Sequence, residues 1–176
     1  MATPKNIPRL LTERLDLRGV RCSDVNDEFT YASNPKVLQF TTGKTPQSIE
    51  DAARFVNQLV DSPSGEFAWA LRFRNQERVI GIIEFGLGDG TVGTIHFALA
   101  EEFWNRGVMT EACRAVLAWA FDTHPKLEQV TTAAVDENRG SIRVMEKCGM
   151  EFREYVNEDW EKFDKPVQLA VYSIHR

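Results

Sequence analysis

Three observations predict an α/β (α+β) chain with a mixed, mostly antiparallel sheet of about seven strands and helices on both faces. Apolar, β-branched and aromatic residues crowd into short segments at 14–20, 67–73, 79–85, 94–99, 127–135, 150–157 and 167–174, which read as strands. Apolar residues at Val108, Ala112, Ala115, Val116, Trp119 and Ala120 fall on one face of a helix, as do Ile49, Ala52, Ala53, Val56, Leu59 and Val60. The resulting order, strand, two helices, three strands, helix, strand, helix, two strands, suits one α/β sandwich.

Taken in order, residues 1–11 hold two prolines and read as a loose lead-in. Along 14–20 the side chains alternate, with Leu15, Leu17 and Val20 inward and Arg14, Asp16 and Arg18 outward, which describes a half-buried strand. Ser23 is placed to cap a helix whose first turn is acidic, and Asn34-Pro35 stops it. Pro46 to Asp51 opens the second helix, which ends before Ser62-Pro63. The link 40–45 between these helices is polar and contains glycine. It reads either as an ordinary connection or as a substrate contact. Gly86-Leu87-Gly88-Asp89-Gly90 mimics a nucleotide loop, but it lies between two strands with no helix behind it, so it reads as a hairpin turn. A helix runs from Val108 to about Thr123. Asn138 caps a shorter one that ends at Gly149, and a closing hairpin follows.

At 176 residues the chain is long enough for one core and reads as a single domain over 1–176. A net charge of −5 with no basic stripe argues against a nucleic-acid partner and suits a cationic one. Cys22, Cys113 and Cys148 form neither a disulfide framework nor a metal pattern, and the latter two sit in helical patterns as small buried residues. No signal peptide and no apolar run of ~20 residues is present, so neither a membrane span nor export is expected, and reduced cytoplasm is the default compartment. Monomer and homodimer are both compatible with these features.

The stretch with the most chemistry is 103–112. A strand, a polar turn and a helix start follow one another, and the turn holds Arg106 and Gly107. Backbone N–H groups at a helix start have no partner within the helix, and the helix dipole is positive behind them. That makes an anion site, most often for phosphate. Gly107 permits close backbone approach and Arg106 adds charge.

Trp104-Asn105-Arg106-Gly107-Val108-Met109-Thr110-Glu111-Ala112 resembles the acyl-CoA pyrophosphate loop of the GNAT N-acetyltransferases. It is most similar to the branch that acetylates N-terminal amines of ribosomal proteins. Thr12 to Arg18, Ile80 to Ile83, and Glu137 to Met150 resemble other segments of that branch in the same order. The resemblance implies an acetyl-CoA-dependent N-acetyltransferase that needs no metal and works by direct attack of an amine in a ternary complex. It implies that backbone groups of Asn105, Arg106, Gly107, Val108, Met109 and Thr110 hold the pyrophosphate. The strand residues Phe97, Ala98 and Leu99 would pair with the pantetheine arm. Asn138 would face that arm, and the Ser141 hydroxyl would lie near the sulfur and protonate the leaving thiolate; the local alternative is that both residues only build the helix start.

Related sequences often carry a glutamate where this chain has Thr94, and Thr is no base near neutral pH. His96 shares a strand face with Thr94, and Glu84 is a carboxylate in an apolar strand, so both are candidate bases. The third possibility is that no side chain serves, since an α-amine with a pKa of ~7.7–8.0 is already partly neutral. Glu151, Glu154, Glu158, Asp159 and Glu161 in the closing hairpin read as a solvated turn or as an acidic rim that attracts a positive peptide N-terminus. Three functions stay open: acetylation of a protein or peptide N-terminus, acetylation of a small amine, or CoA binding without catalysis.

Overall fold

The computed structural model describes residues 7–176. One eight-stranded sheet, in the order β1-β2-β3-β4-β5-β6-β8-β7, runs through it. Its strands are β1 (Leu10–Leu11), β2 (Leu15–Gly19), β3 (Glu66–Phe73), β4 (Gly81–Gly86), β5 (Val92–Leu99), β6 (Gln129–Val135), β7 (Glu151–Glu158) and β8 (Val167–His175). The helices are α1 (Val25–Ala32), α2 (Pro35–Leu38), α3 (Ile49–Val60), α4 (Val108–Thr123) and α5 (Arg139–Lys147). Every strand pair is antiparallel except β5 with β6.

The two faces of the sheet differ. Trp69, Leu71, Ile83, Phe85 and Ile95 point to one side and pack against Val108, Ala112, Val116 and Ala120 of α4, with Ile142 and Met145 of α5 in the same core. On the other side Ala68, Ile82 and Ala98 lie beneath Phe55 and Leu59 of α3. Helices therefore cover both faces, as the periodicity predicts. No helix among the described residues is long and apolar enough to cross a membrane.

Several expectations change. The sheet has eight strands rather than about seven, because Leu10–Leu11 pairs with Asp16 and Leu17 as an edge strand in what reads as a loose lead-in; residues 1–6 of that lead-in lie outside the described residues. Strand β2 is not half-buried. Its polar side is also covered, and each charge meets its opposite: Asp16 accepts from Arg9 Nε at 2.6 Å and Arg72 Nε at 2.8 Å, while Arg18 forks onto Asp24 at 2.7 and 2.8 Å. Arginine bonding holds the Asp16 carboxyl below its ordinary pKa against the opposing effect of burial.

Ser23 does not cap α1; it lies inside a single 3-10 turn, Cys22–Asp24, where Asp24 accepts from Arg21 N at 2.8 Å. Asn34-Pro35 ends α1 but also starts α2, since Asn34 caps Lys36 N and proline is tolerated at the first helical position. In α3, Ser48 and Asp51 form a reciprocal capping box, but Ile49 and Val60 are exposed and the buried face narrows to Ala52, Val56 and Leu59. The glycine string 86–90 is the β4–β5 hairpin, and Cys113 and Cys148 are buried and free.

Candidate active site

Strands β5 and β6 pair only at Val92–Gln129, Gly93–Val130 and Thr94–Thr131. Beyond Thr94, β5 continues along β4 and β6 continues along β8, so the two diverge. Thr132 closes the apex of the split by donating its hydroxyl to Ile95 O at 2.7 Å. Ala100 N donates to Ile80 O at 2.8 Å, which fixes the phase of the β4–β5 ladder. In that phase Thr94, His96 and Ala98 turn their backbone groups to β4, while Phe97 and Leu99 turn theirs into the split. Of the three pantetheine-arm candidates, Phe97 and Leu99 thus offer N–H groups to a ligand, and Ala98 offers only its methyl, beneath α3.

Because β5 and β6 are parallel, the helices that follow them start at the same end of the sheet. Helix α4 follows β5 and α5 follows β6, so both N-termini flank the open end of the split. The turn before α4 is left-handed at Asn105 (φ 58°) and at Gly107 (φ 72°). That backbone gathers successive N–H groups around one concavity. The N–H groups from Asn105 to Thr110 donate to no group among the described residues, and the first bond of the helix is Glu111 N to Gly107 O. Trp104 pins the turn to the strand by donating to Leu99 O at 2.7 Å. Arg106 lies exposed over the Phe103 ring. Val108, Met109 and Thr110 bury their side chains, so only their backbone faces outward.

Sequence reasoning missed the second layer of this turn. Glu111 accepts from Thr12 Oγ1 at 2.5 Å, Arg14 N at 2.9 Å and Arg14 Nε at 2.6 Å. Arg14 also donates to Arg106 O at 3.0 Å. A cavity of about 570 Å³ beside the turn is lined by Thr12, Glu13, Arg14, Gly107, Thr110, Glu111, Arg114, Ala115 and Lys147. Its three basic side chains come from β2's approach, α4 and α5, so no local motif joins them. An extended, multiply phosphorylated ligand such as CoA fits these parts: free N–H groups, a basic wall and an open strand edge.

At the start of α5, Asn138 Oδ1 accepts from Ser141 N at 3.2 Å, the expected cap. The Ser141 hydroxyl has no hydrogen-bond partner among the described residues and is partly exposed. It is free to act on a ligand in the split.

On the face under α3, Glu84 and His96 are direct cross-strand partners. His96 lies two residues past the last β5–β6 pair. Neither side chain has a hydrogen-bond or ion-pair partner among the described residues. Burial, and then the charge of Glu66, push the half-buried Glu84 carboxyl up to about 7. His96 is exposed at its surface, yet desolvation lowers its pKa, opposed by the charge of Glu66. Behind them on α1, Glu28 is buried and accepts from Tyr31 Oη; desolvation raises its carboxyl to about 7 despite that bond.

The opposite wall joins two loops. Lys162 donates to Leu38 O at 2.6 Å and Gly43 O at 3.1 Å, and Phe40 packs with Trp160, Phe163 and Val135. The link 40–45 is thereby braced against the β7–β8 loop. The acidic residues of that hairpin are exposed. Two have local partners, Glu158 accepting from Trp160 and Glu151 pairing with Arg153, and Glu161 pairs with Lys44 of the 40–45 link. No group of His, Cys, Asp and Glu among the described residues is disposed to hold a metal ion.

A family model described as an acetyltransferase (GNAT) domain matches residues 14–151. Among solved structures, the chain resembles a GNAT-family acetyltransferase from Bacillus anthracis (TM-score 0.85, 23% identity, 96% of this chain and 98% of that one). It also resembles an acetyltransferase from Salmonella typhimurium that modifies the N-terminal serine of ribosomal protein L7/L12 (0.81, 14%, 96% and 99%). A third is spermidine N-acetyltransferase from Vibrio cholerae, solved with CoA and spermine (0.78, 15%, 93% and 96%). At these identities the likeness shows a shared fold.

Proposed function

We infer the reaction from one premise: the chain belongs to the GNAT acetyltransferase family. It moves an acetyl group from acetyl-CoA to a primary amine by direct attack, with both substrates bound together. The acceptor is the α-amine of a protein or peptide N-terminus, and the reaction runs in the cytoplasm. One observation carries this reading: Glu84 and His96, unpaired and side by side, sit where β5 leaves β6.

Acetyl-CoA supplies an activated acyl group and a thiolate leaving group. The protein's part follows from its own groups. The N–H groups of Asn105 to Thr110, with Arg106, Arg14, Arg114 and Lys147 nearby, bind the phosphates. Phe97 and Leu99 N–H pair with the pantetheine arm and polarise the thioester oxygen; one such donor is typically worth ~10²–10³ in rate. Asn138 fixes the first turn of α5, and the partly exposed Ser141 hydroxyl gives its proton to the departing thiolate and takes one back from water, while Glu84 returns the amine proton to solvent. Glu84, with a pKa of about 7, takes the proton of the amine. His96 stays neutral and accepts a hydrogen bond from the same amine.

A base of this strength suits an α-amine at ~7.7–8.0 far better than a lysine or alkyl amine at ~10.4. That match favours the N-terminal acceptor over a polyamine, although relatives of this fold act on both kinds. The test is thiol release from acetyl-CoA with peptides beginning in Ser or Ala and with spermidine. Peptides should turn over and spermidine should lag. Ser141→Ala should lower kcat while leaving acetyl-CoA affinity intact. CoA binding without turnover of any amine would leave only a binding module.

A further inference from the structure

We propose that Glu111, although an anion, strengthens the binding of the acetyl-CoA phosphates: it holds Arg14, Arg14 holds the Arg106 carbonyl back, and the N–H groups of the turn face the ligand as a result. This deepens the proposed function and rests on its placing of the phosphates at the start of α4.

By charge alone, a carboxylate beside a phosphate site is unfavourable. Glu111 stands in the first turn of α4 and lines the cavity that also holds Arg14, Arg114 and Lys147. Burial opposes its ionisation, yet bonds from Thr12 and Arg14 hold the carboxyl below its ordinary pKa, so it is charged at neutral pH. Its two oxygens have different tasks. Oε1 accepts from Thr12 Oγ1 at 2.5 Å and Arg14 N at 2.9 Å, which ties the approach to β2 onto α4. Oε2 accepts from Arg14 Nε at 2.6 Å and so aims that side chain.

The Arg14 side chain reaches the turn, where Nη1 donates to Arg106 O at 3.0 Å. The next carbonyl is held as well, because Glu111 N donates to Gly107 O at 3.0 Å. In a planar trans peptide unit the C=O and the N–H point in opposite directions. Holding Arg106 O therefore sets the direction of Gly107 N–H, and holding Gly107 O sets that of Val108 N–H. Glu111 governs both units, the second through its backbone and the first through its side chain and Arg14. The first unit depends on that brace most. It precedes the helix and joins a turn that is left-handed at Asn105 and Gly107, so no helical bond fixes its carbonyl. The planar guanidinium fork allows one side chain to bond a carboxylate and a carbonyl at once. Glu111 and Arg14 are thus positioning residues for the phosphate turn.

Charge and geometry predict opposite signs for Glu111→Gln, which makes it the direct test. The amide keeps one oxygen for Thr12 and Arg14 N but places a donor against Arg14 Nε, so only the side-chain brace is cut. Binding is measured by calorimetry on the full chain for wild type, Glu111→Gln, Arg14→Lys and the double variant. The ligands are acetyl-CoA and acetyl-pantetheine, which has the same thioester and arm without the phosphates. Glu111→Gln should bind acetyl-CoA on the order of tenfold more weakly, although it has lost a negative charge. Arg14→Lys keeps the charge but not the fork, and should weaken binding to a similar degree. The double variant should lose no more than the weaker-binding single variant, since both cut one chain of bonds. Acetyl-pantetheine should bind all four proteins alike, which also shows that the cleft is folded in each. Tighter or unchanged acetyl-CoA binding by Glu111→Gln would overturn the proposal. So would equal weakening of both ligands, which would leave Glu111 a residue of the fold alone. A wild type that binds acetyl-CoA but acetylates no amine would sink the transfer reading while leaving this comparison intact, whereas one that binds no acetyl-CoA would sink both.

Discussion

Glu28 and Glu84 are carboxyls with a pKa of about 7, and burial is the first cause in each. In the unfolded chain each would ionise at the ordinary 4.5. Between those values the folded protein keeps a proton that the unfolded chain has released. Stability therefore falls as pH rises from about 4.5 to about 7 and levels off above that. A displacement of this size corresponds to about 3 kcal/mol per group at most. Glu28→Gln removes one such group while leaving an oxygen for Tyr31 to donate to. Relative to wild type, the variant should gain up to about 3 kcal/mol at pH 8 over its value at pH 5, read from urea unfolding at both pH values. Identical pH dependence in the two proteins would mean that Glu28 ionises normally in the fold. Glu84 and His96 were legible as candidates because a charge in an apolar strand and an imidazole on the face of Thr94 are visible in the chain. Their pairing was not, since it depends on the register of two strands.

Local elements were legible where their determinants are local. Asn138 caps α5, α4 ends at Thr123 as its periodicity predicts, and Gly149 takes a left-handed φ of 84° after α5. Elements set by distant contacts were not. The edge strand β1 exists because β2 pairs with it, and Glu111 bonds to residues 97 and 99 positions away at Arg14 and Thr12. That anchor explains why the turn before α4 needs more than its own sequence. Gly107 is required there for its φ of 72° rather than for room, since a Cβ would come only within 3.6 Å of Arg14 Nη2. Valine at 107 adds a β-branched side chain in left-handed backbone, a cost of about 1–3 kcal/mol. The double variant Arg106→Ala, Gly107→Val should bind acetyl-CoA at least an order of magnitude more weakly by calorimetry, with the fold retained. Unchanged affinity would show that the phosphates lie elsewhere.

Across the whole molecule, the parallel pair in an otherwise antiparallel sheet produces the cleft. The pair holds for three residues and then splits; two helix N-termini flank its open end, and Glu84 and His96 lie side by side on the face near its apex. The mixed sheet and its flanking helices were legible from the order of elements. The split was not, because nothing within 94–99 or 129–135 states where pairing stops. The basic cavity beside α4 and the acidic face under α3 give the cleft opposite charge at its two ends, which suits a phosphorylated donor and a cationic acceptor. The central claim is that Glu84 removes the amine proton, and the pH dependence of kcat/KM tests it most directly. It would be measured for wild type, Glu84→Gln and His96→Gln with two acceptors of different amine pKa. If Glu84 is the base, a limb rises through about 7, stays there when the acceptor is changed, persists in His96→Gln, and disappears in Glu84→Gln with a loss of ~10²–10⁴ in rate. A limb that follows the acceptor's own pKa and is the same in all three proteins would contradict it.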